Sequence, residues 1–335
     1  MPLLPVLLSI LPVLFFLTAL VLVDTYQLVR FSAVVLAVVS GIAAAILAWI
    51  ASGPIIATFE LSPESYRVFA APALEEALKA TLIVYLIRTD RIGFTIDAAI
   101  LGFAVGAGFA CLENLYYIQR LGDAGVGIWI VRGFGTAIMH GGTTAVFSIL
   151  AKLAHDSEAK YPLRPLAGAL AVAVVIHSAH NLFWLPPKLN MLVVLVGCSV
   201  TIGTLMVFAE RRTREWLGTG FDTDQELLNL LMSGKISDTR VGQYLHKLRA
   251  RFPGTVVADM LCLIRIRVEL SLRAKGLLMM REAGFAVTVG PDIRAKFDEL
   301  KFLERSIGRI GLLAIEPIHR WSRQDLFQLT LLDRS

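Results

Sequence analysis

Glu75, Glu76 and Lys79 lie inside a stretch, Val68 to Arg88, whose length and apolar content are those of a membrane-spanning helix. Near the bilayer centre each such group costs roughly 2.5–3.5 kcal/mol, while a Leu, Ile, Val or Phe returns about 0.3–0.6 kcal/mol. The stretch therefore needs neighbouring helices to hold it in the membrane. Glu75 and Glu76 precede Lys79 by four and three residues, so both carboxylates reach the ammonium on one helix face. One ammonium cannot neutralise two carboxylates. The excess calls for a proton, a histidinium or a metal ion, and ionisable groups at such depth are functional by default.

Three further apolar stretches carry groups of the same kind: Phe109-Ala-Cys-Leu-Glu113-Asn114, His140 in Met139-His-Gly-Gly-Thr-Thr144, and His177-Ser-Ala-His180-Asn181. His177 and Asn181 are one helical turn apart and share a face. Peptide hydrolysis within a membrane needs a water held and deprotonated by a base, and donors for the oxyanion. A desolvated Glu serves as such a base, and imidazoles with an Asn amide orient the water or stabilise the tetrahedral oxygen. Alternatively Glu113, His140 and His177 ligate a divalent metal, Zn2+ or another, leaving Glu75 or Glu76 as base. No H-E-x-x-H is present. The plain alternatives are a buried salt bridge for Glu75, Glu76 and Lys79, packing histidines at His140 and His180, and an interhelical hydrogen-bond pair for Glu113 and Asn114. Asp97 and Arg132 fall near span ends, where snorkelling accounts for them.

The elements that must position these residues are apolar runs of spanning length, about seven of them: roughly 3–23, 31–57, 68–88, 94–119, 126–153, 164–185 and 189–209. The first has no basic leader or small-residue cleavage site and reads as a retained span. Gly102, Gly106, Gly108, Gly133, Gly135, Gly141 and Gly142 mark the fourth and fifth, either for close helix packing or for broken geometry. One set of loops carries Arg30, Arg88, Arg91, Lys152, Lys160, Arg164, Arg211, Arg212 and Arg214; the other carries Arg67, Arg120 and Lys188. The richer set belongs in the cytoplasm, which puts the N-terminus outside and the C-terminal tail inside. Threaded so, Glu75, Glu113, His140 and His177 lie on the order of 10–20 Å below the outer face, at 1.5 Å per residue.

Most of the 335 residues suit a bilayer, with 56% hydrophobic residues and a mean hydropathy of +0.67. The net charge of +5 belongs to the tail: residues 1–209 balance 11 Lys/Arg with 11 Asp/Glu, and the remainder carries 21 and 16. That balance suits a cytoplasmic appendage near anionic headgroups, and no basic stripe with interleaved aromatics suggests nucleic acid. Three scattered cysteines without a CxxC argue against a disulfide framework or thiolate zinc. The tail reads as amphipathic helix: a capping box at Thr223-Asp-Gln-Glu226, helices near 238–251 and 255–283 parted by Pro253-Gly254, another opened by Gly290-Pro291, and a last one from Ser322 to Leu332. His246 and His319 stand alone, and the tail's partner is not legible. The fold expected is all-α: a polytopic transmembrane helix bundle over 1–210 with a C-terminal soluble helical domain over 215–335.

Glu75-Glu76-Ala-Leu-Lys79 matches E-E-x-x-K, Phe109 to Glu113 matches F-x-x-x-E, His140 is an isolated third-motif histidine, and His177 to Asn181 matches H-x-x-x-N. In that order, on successive spans, the chain resembles the PrsW family of intramembrane proteases and, more distantly, the CAAX prenyl endopeptidase and bacteriocin-immunity superfamily. The resemblance covers roughly residues 30–210. It implies cleavage of membrane proteins in the cell membrane, with anti-sigma factors as the best-known substrate class. Carried over, Glu75 is the base, Glu76 with Lys79 its support, Glu113, His140 and His177 water or metal contacts, and Asn181 an oxyanion donor. Phe109, Asn114 and His180 stand as supporting residues, and His180 is an extra histidine within the fourth motif. The rival classes are a transporter or proton relay built on the same Glu/His/Lys set, and a non-catalytic membrane scaffold.

Overall fold

A computed structural model of the chain describes residues 3–24, 26, 28–121, 124–156, 163–285 and 292–316. Among these residues the structure is helical, with no strand. Two compact units divide between Glu210 and Arg211.

The first unit is built from α1 (Leu3–Val23), α2 (Phe31–Phe59), α3, α4 (Thr95–Leu121), α5, α6 (Leu163–Asn181) and the first part of α7 (Pro187–Met232). Helix α3 starts at Pro63–Ser65, widens into a π turn at Tyr66–Ala70 and continues as Ala71–Arg88. Helix α5 runs Val126–Val131, widens at Arg132–Ala137 and continues as Ile138–Asp156. Five of these helices, α1, α2, α4, α5 and α7, are long and apolar enough to cross a membrane. The two that fall short of that measure are the ones richest in site residues. Helix α3 holds Glu75, Glu76, Lys79 and Arg88 within Ala71–Arg88, and α6 ends in His177, Ser178, His180 and Asn181.

The unit is graded from the centre outward. The apolar windows of α4 and α5 are 83% and 78% buried, against 22% for α1, 33% for α2 and 11% for α7. Helix α4 is central, packed on α1, α2 and α5. Small residues set the approach: a Cβ on Gly106 would collide with the carbonyl of His140, and one on Gly102 with Ser148 and the carbonyl of Thr144. On the other face Gly108 backs onto Val38 and Gly41 of α2 onto Val105. Both meanings of the glycines are realised, because Gly133 and Gly135 sit in the wide turn of α5. The wide turn of α3 has a local cause in Pro72. Proline offers no N–H and crowds the carbonyl four residues back, and the turn closes instead from the Ala71 N–H to the Tyr66 carbonyl.

Asp97 does not snorkel. It is buried and accepts from the N–H groups of Gly93 (3.1 Å) and Phe94 (3.0 Å), satisfying donors at the start of α4.

The second unit comprises the rest of α7, a short 3-10 turn at Lys235–Asp238, α8 (Arg240–Leu248), α9 (Gly254–Glu282) and α10 (Asp292–Ile315). The capping box at Thr223 does not open a helix. Thr223 lies inside the unbroken α7, its hydroxyl donating back to the Thr219 carbonyl at 2.9 Å, and Asp224 is held by Lys275 at 2.7 Å. Thr239 supplies a real cap, accepting from Gly242 N at the start of α8. Lys160, Gly290-Pro291, His319 and the helix expected at Ser322–Leu332 lie outside the described residues, and His246 is exposed.

Candidate active site

Four helices bring their polar residues together. From α3, Glu76 and Lys79 are buried and paired at 2.8 Å. Glu76 Oε1 also accepts from His177 Nδ1 of α6 at 2.8 Å. The hydroxyls of Thr143 and Thr144 lie 3.4 and 3.5 Å from the Glu76 carboxylate, while making shorter bonds to the carbonyls of Met139 and His140. Lys79 Nζ donates in addition to His140 Nδ1 of α5 at 2.8 Å and lies 4.2 Å from the centre of the Phe109 ring. With Nδ1 accepting, Nε2 of His140 carries the proton and donates to Glu113 Oε2 of α4 at 3.1 Å. The two imidazoles meet edge to face with centroids 4.8 Å apart.

Glu75, one residue before Glu76, approaches the opposite edge of the same imidazole and places Oε2 3.8 Å from His177 Nε2. Ligand atoms of Glu75, His140 and His177 all lie within 4.8 Å of one another. Glu113, expected among the ligands, stands beside His140 but outside this trio. Its Oε2 also faces Arg132 Nη2 at 3.2 Å.

Arg132 is the residue that the sequence reading passed over. It opens the wide turn of α5, donates from Nε to Asn114 Oδ1 at 2.8 Å, and lies over the Tyr117 ring at 3.8 Å. Asn114 in turn donates to the Ser9 carbonyl of α1 at 2.7 Å. The signal was present as a charge followed by Gly133 and Gly135 within one apolar span.

Two expected residues lie apart from the cluster. The Asn181 amide donates to the Arg67 carbonyl at 3.0 Å, and the Arg67 guanidinium donates to the Asn181 carbonyl at 2.6 Å. This reciprocal tie joins the end of α6 to the wide turn of α3. His180 is buried between Thr136 and Asn190, with contacts of 3.5 and 3.3 Å.

The charge of the set is informative. Three carboxylates, Glu75, Glu76 and Glu113, face two fixed cations, Lys79 and Arg132. A buried excess of negative charge is expensive unless a cation or a proton meets it. The donors suit a metal: Glu76 accepts a hydrogen bond from His177 Nδ1–H, which leaves the Nε2 lone pair facing Glu75. Carboxylates orient metal-binding imidazoles in this way.

Apolar helices wrapped around a buried carboxylate–imidazole set define a multi-pass membrane protein built around an interior polar site. The sequence pattern described as PrsW family intramembrane metalloprotease matches residues 26–209, more than half of the chain. The chain belongs to the PrsW family, which makes peptidase its enzyme class. Comparison with the curated proteins finds no match, and comparison with the solved structures finds none either.

Proposed function

We propose that the protein is an intramembrane metallopeptidase in which Glu75, His140 and His177 hold a divalent ion, zinc by the preference of these donors, with His140 giving up the Nε2 proton it shares with Glu113, and Glu113 moves the proton of the attacking water. The observation that supports it is the meeting of one ligand atom from each of three helices within 4.8 Å, beside a further carboxylate on His140. When bound, such an ion supplies Lewis acidity to a peptide carbonyl and acidifies a water.

The chain's own groups do the rest. Arg132 faces Oε2 of Glu113. Oε1 takes a proton from the attacking water as its oxygen bonds the carbonyl carbon. The same oxygen then hands the proton to the nitrogen as the C–N bond breaks, giving an acid and an amine. Glu76, gripped by Lys79 and His177, fixes the direction of the His177 ring. Phe109 covers Lys79 and His140 from one side. Asn181 acts through its tie to Arg67, holding α6 against α3 one turn from His177.

In this reading α3 and α6 also cross the bilayer, held by their neighbours, for seven spans in all. The Arg- and Lys-rich loops are cytoplasmic, the N-terminus is outside, and the second unit is a soluble cytoplasmic domain. Substrates are membrane proteins, with single-span proteins of the anti-sigma-factor kind as the class that the resemblance implies.

The test uses purified full-length protein in nanodiscs, a panel of single-span reporter proteins and bound-metal analysis. Glu113→Gln lowers cleavage by roughly 10²–10⁴-fold with metal retained. Glu75→Gln and His177→Ala lose both metal and cleavage. Full activity in metal-free protein, or cleavage that survives Glu75→Gln, overturns the metallopeptidase reading, and ion flux lost while cleavage persists returns a transporter.

A further inference from the structure

We infer that the C-terminal end of α9 is a membrane foot, with Met279, Met280 and Phe285 seated in the phospholipid headgroup layer of the cytoplasmic leaflet. This rests on the proposed crossing of the bilayer by α7 and is independent of the chemistry at the polar site. The apolar run of α7 ends at Ala209, and Arg211, Arg212 and Arg214 follow. Arg214 is five residues past that run, about 8 Å along the helix, which is close to the depth of the headgroup layer flanking the hydrocarbon. Helix α9 is antiparallel to this part of α7. Its Lys275 bonds Asp224 and the Gly220 carbonyl, and its Glu282 bonds Arg214 at 2.6 Å. The contacts climb α9 as they descend α7, so α9 points its C-terminal end at the bilayer.

At that end the chain is turned back. Gly284, at φ 80°, donates to the Arg281 carbonyl and Phe285 donates to the Met280 carbonyl, both at 2.9 Å, the pair of bonds that closes a helix through a left-handed glycine. Phe285 is thereby folded back to Met280. The two are 66% and 51% exposed, and Met279 is 41% exposed. A cluster of apolar side chains bared on a helix end is poorly placed in water and well placed in a bilayer interface. Arg281 stands among them, and Arg211, Arg212 and Arg214 lie at the same level to meet lipid phosphates. Glu210, Glu215 and Glu282 share that level, which leaves four cations to three carboxylates. Trp216, with Lys275 Nζ 5.4 Å from its ring centre, supplies an aromatic of the kind enriched at membrane interfaces. Helix α10 sets the contrast. It runs back along α9, with Asp292 on Arg273, Glu304 on Arg267 and Ser306 on Asp259. Phe302 is as exposed as Phe285, at 65%, yet stands on the order of 20 Å farther from the bilayer.

The test puts one nitroxide label on full-length protein in nanodiscs, through Phe285→Cys, Phe302→Cys or Val207→Cys, in a chain also carrying Cys111→Ser, Cys198→Ser and Cys262→Ser. Collisions with oxygen, which partitions into lipid, are compared with collisions with a water-soluble nickel chelate. Oxygen prevails several-fold at 285 and at 207, and the nickel chelate prevails at 302. Should the cysteine-free chain fail to fold, Phe285→Trp, Phe302→Trp and Val207→Trp in otherwise native protein are compared in lipid brominated near the headgroup. The emission gained over wild type is then quenched at 285 and at 207 but not at 302. A label at 285 as open to nickel as the one at 302, or a Trp at 285 that brominated lipid leaves unquenched, overturns the proposal. So does a label at 285 closed to both colliders, since protein and not lipid then covers the tip. Position 207, on the apolar part of α7, separates the two readings. Lipid at 207 with water at 285 removes the foot alone, whereas water at both removes the crossing of α7 with it.

Discussion

The two units use buried charge in opposite ways. In the second, Lys275 meets Asp224 at 2.7 Å and the Gly220 carbonyl at 3.2 Å, so one buried cation is matched by one carboxylate and a backbone oxygen. Glu269 there is shared between Lys296 and Arg265, and Arg214 pairs with Glu282 while its side chain is 62% exposed. Each carboxylate in these pairs has its cation, and the Arg214 pair lies where water screens it. In the first unit the carboxylates outnumber the fixed cations, and the surplus is gathered on one spot by residues from separate helices. Matched pairs hold helices together. An unmatched, convergent set has no use as a staple and is explained by what it can bind.

The sharpest way to break that contrast is to remove one charge from each unit. Glu76→Ala strands Lys79 and the His177 N–H in a dry interior, and breaking a buried pair in this way costs roughly 3–5 kcal/mol. Cleavage and metal retention fall with it, because the His177 ring loses its orienting partner. Lys275→Met strands Asp224 alone and costs about 3 kcal/mol, the low end of the same range, since Asp224 retains some contact with water. Protein that remains folded cleaves at the wild-type rate. Denaturation in nanodiscs beside metal and activity assays separates the two. If Glu76→Ala costs only stability, the cluster in the first unit is a staple like the one in the second.

A smaller effect sharpens the contrast within the first unit. Arg67 and Asn181 bond each other reciprocally, so their alanine variants should be non-additive, with a coupling of about 0.5–3 kcal/mol in a double-mutant cycle of stability. If Asn181 instead served an oxyanion directly, Asn181→Ala would lower kcat with no coupling to Arg67.

What was legible follows the same physics. Glu75, Glu76, Lys79, Glu113, His140 and His177 stand out in sequence because an ionisable group in an apolar helix is anomalous on its face, and all six meet in the structure. Their partition was not legible. Whether Glu75 or Glu113 joins the imidazoles depends on how each helix is rotated, and a wide turn shifts that rotation in a way no spacing rule anticipates. Arg132 and Asp97 were read as snorkelling because span ends are uncertain by a few residues, enough to move a buried group to an imagined surface. Thr223-Asp-Gln-Glu226 carries the chemistry of a helix start, yet the apolar run before it was free to continue, and tertiary pairing of Asp224 with Lys275 favours continuation. Helices α3 and α6 read as spans from the length and apolar content of residues 68–88 and 164–185, yet among the described residues length and hydropathy select only the other five.

The smallest expected effect lies in the second unit and concerns acid. Asp292 opens α10, and its carboxyl is held below the usual Asp value of 3.8, chiefly by the hydrogen bond from Arg273. A folded-state value below the unfolded one means that the contribution is complete above the unfolded value and is lost as pH falls through the folded one. The pair is exposed and screened, so its worth is slight. The expectation is therefore one of shape: the midpoint-against-pH curves of wild type and Arg273→Ala run nearly parallel above pH 4 and draw together below it. Curves that diverge in acid would mean that Arg273 does more than hold this carboxylate, and that even the exposed pairs of the second unit carry a load beyond local balance.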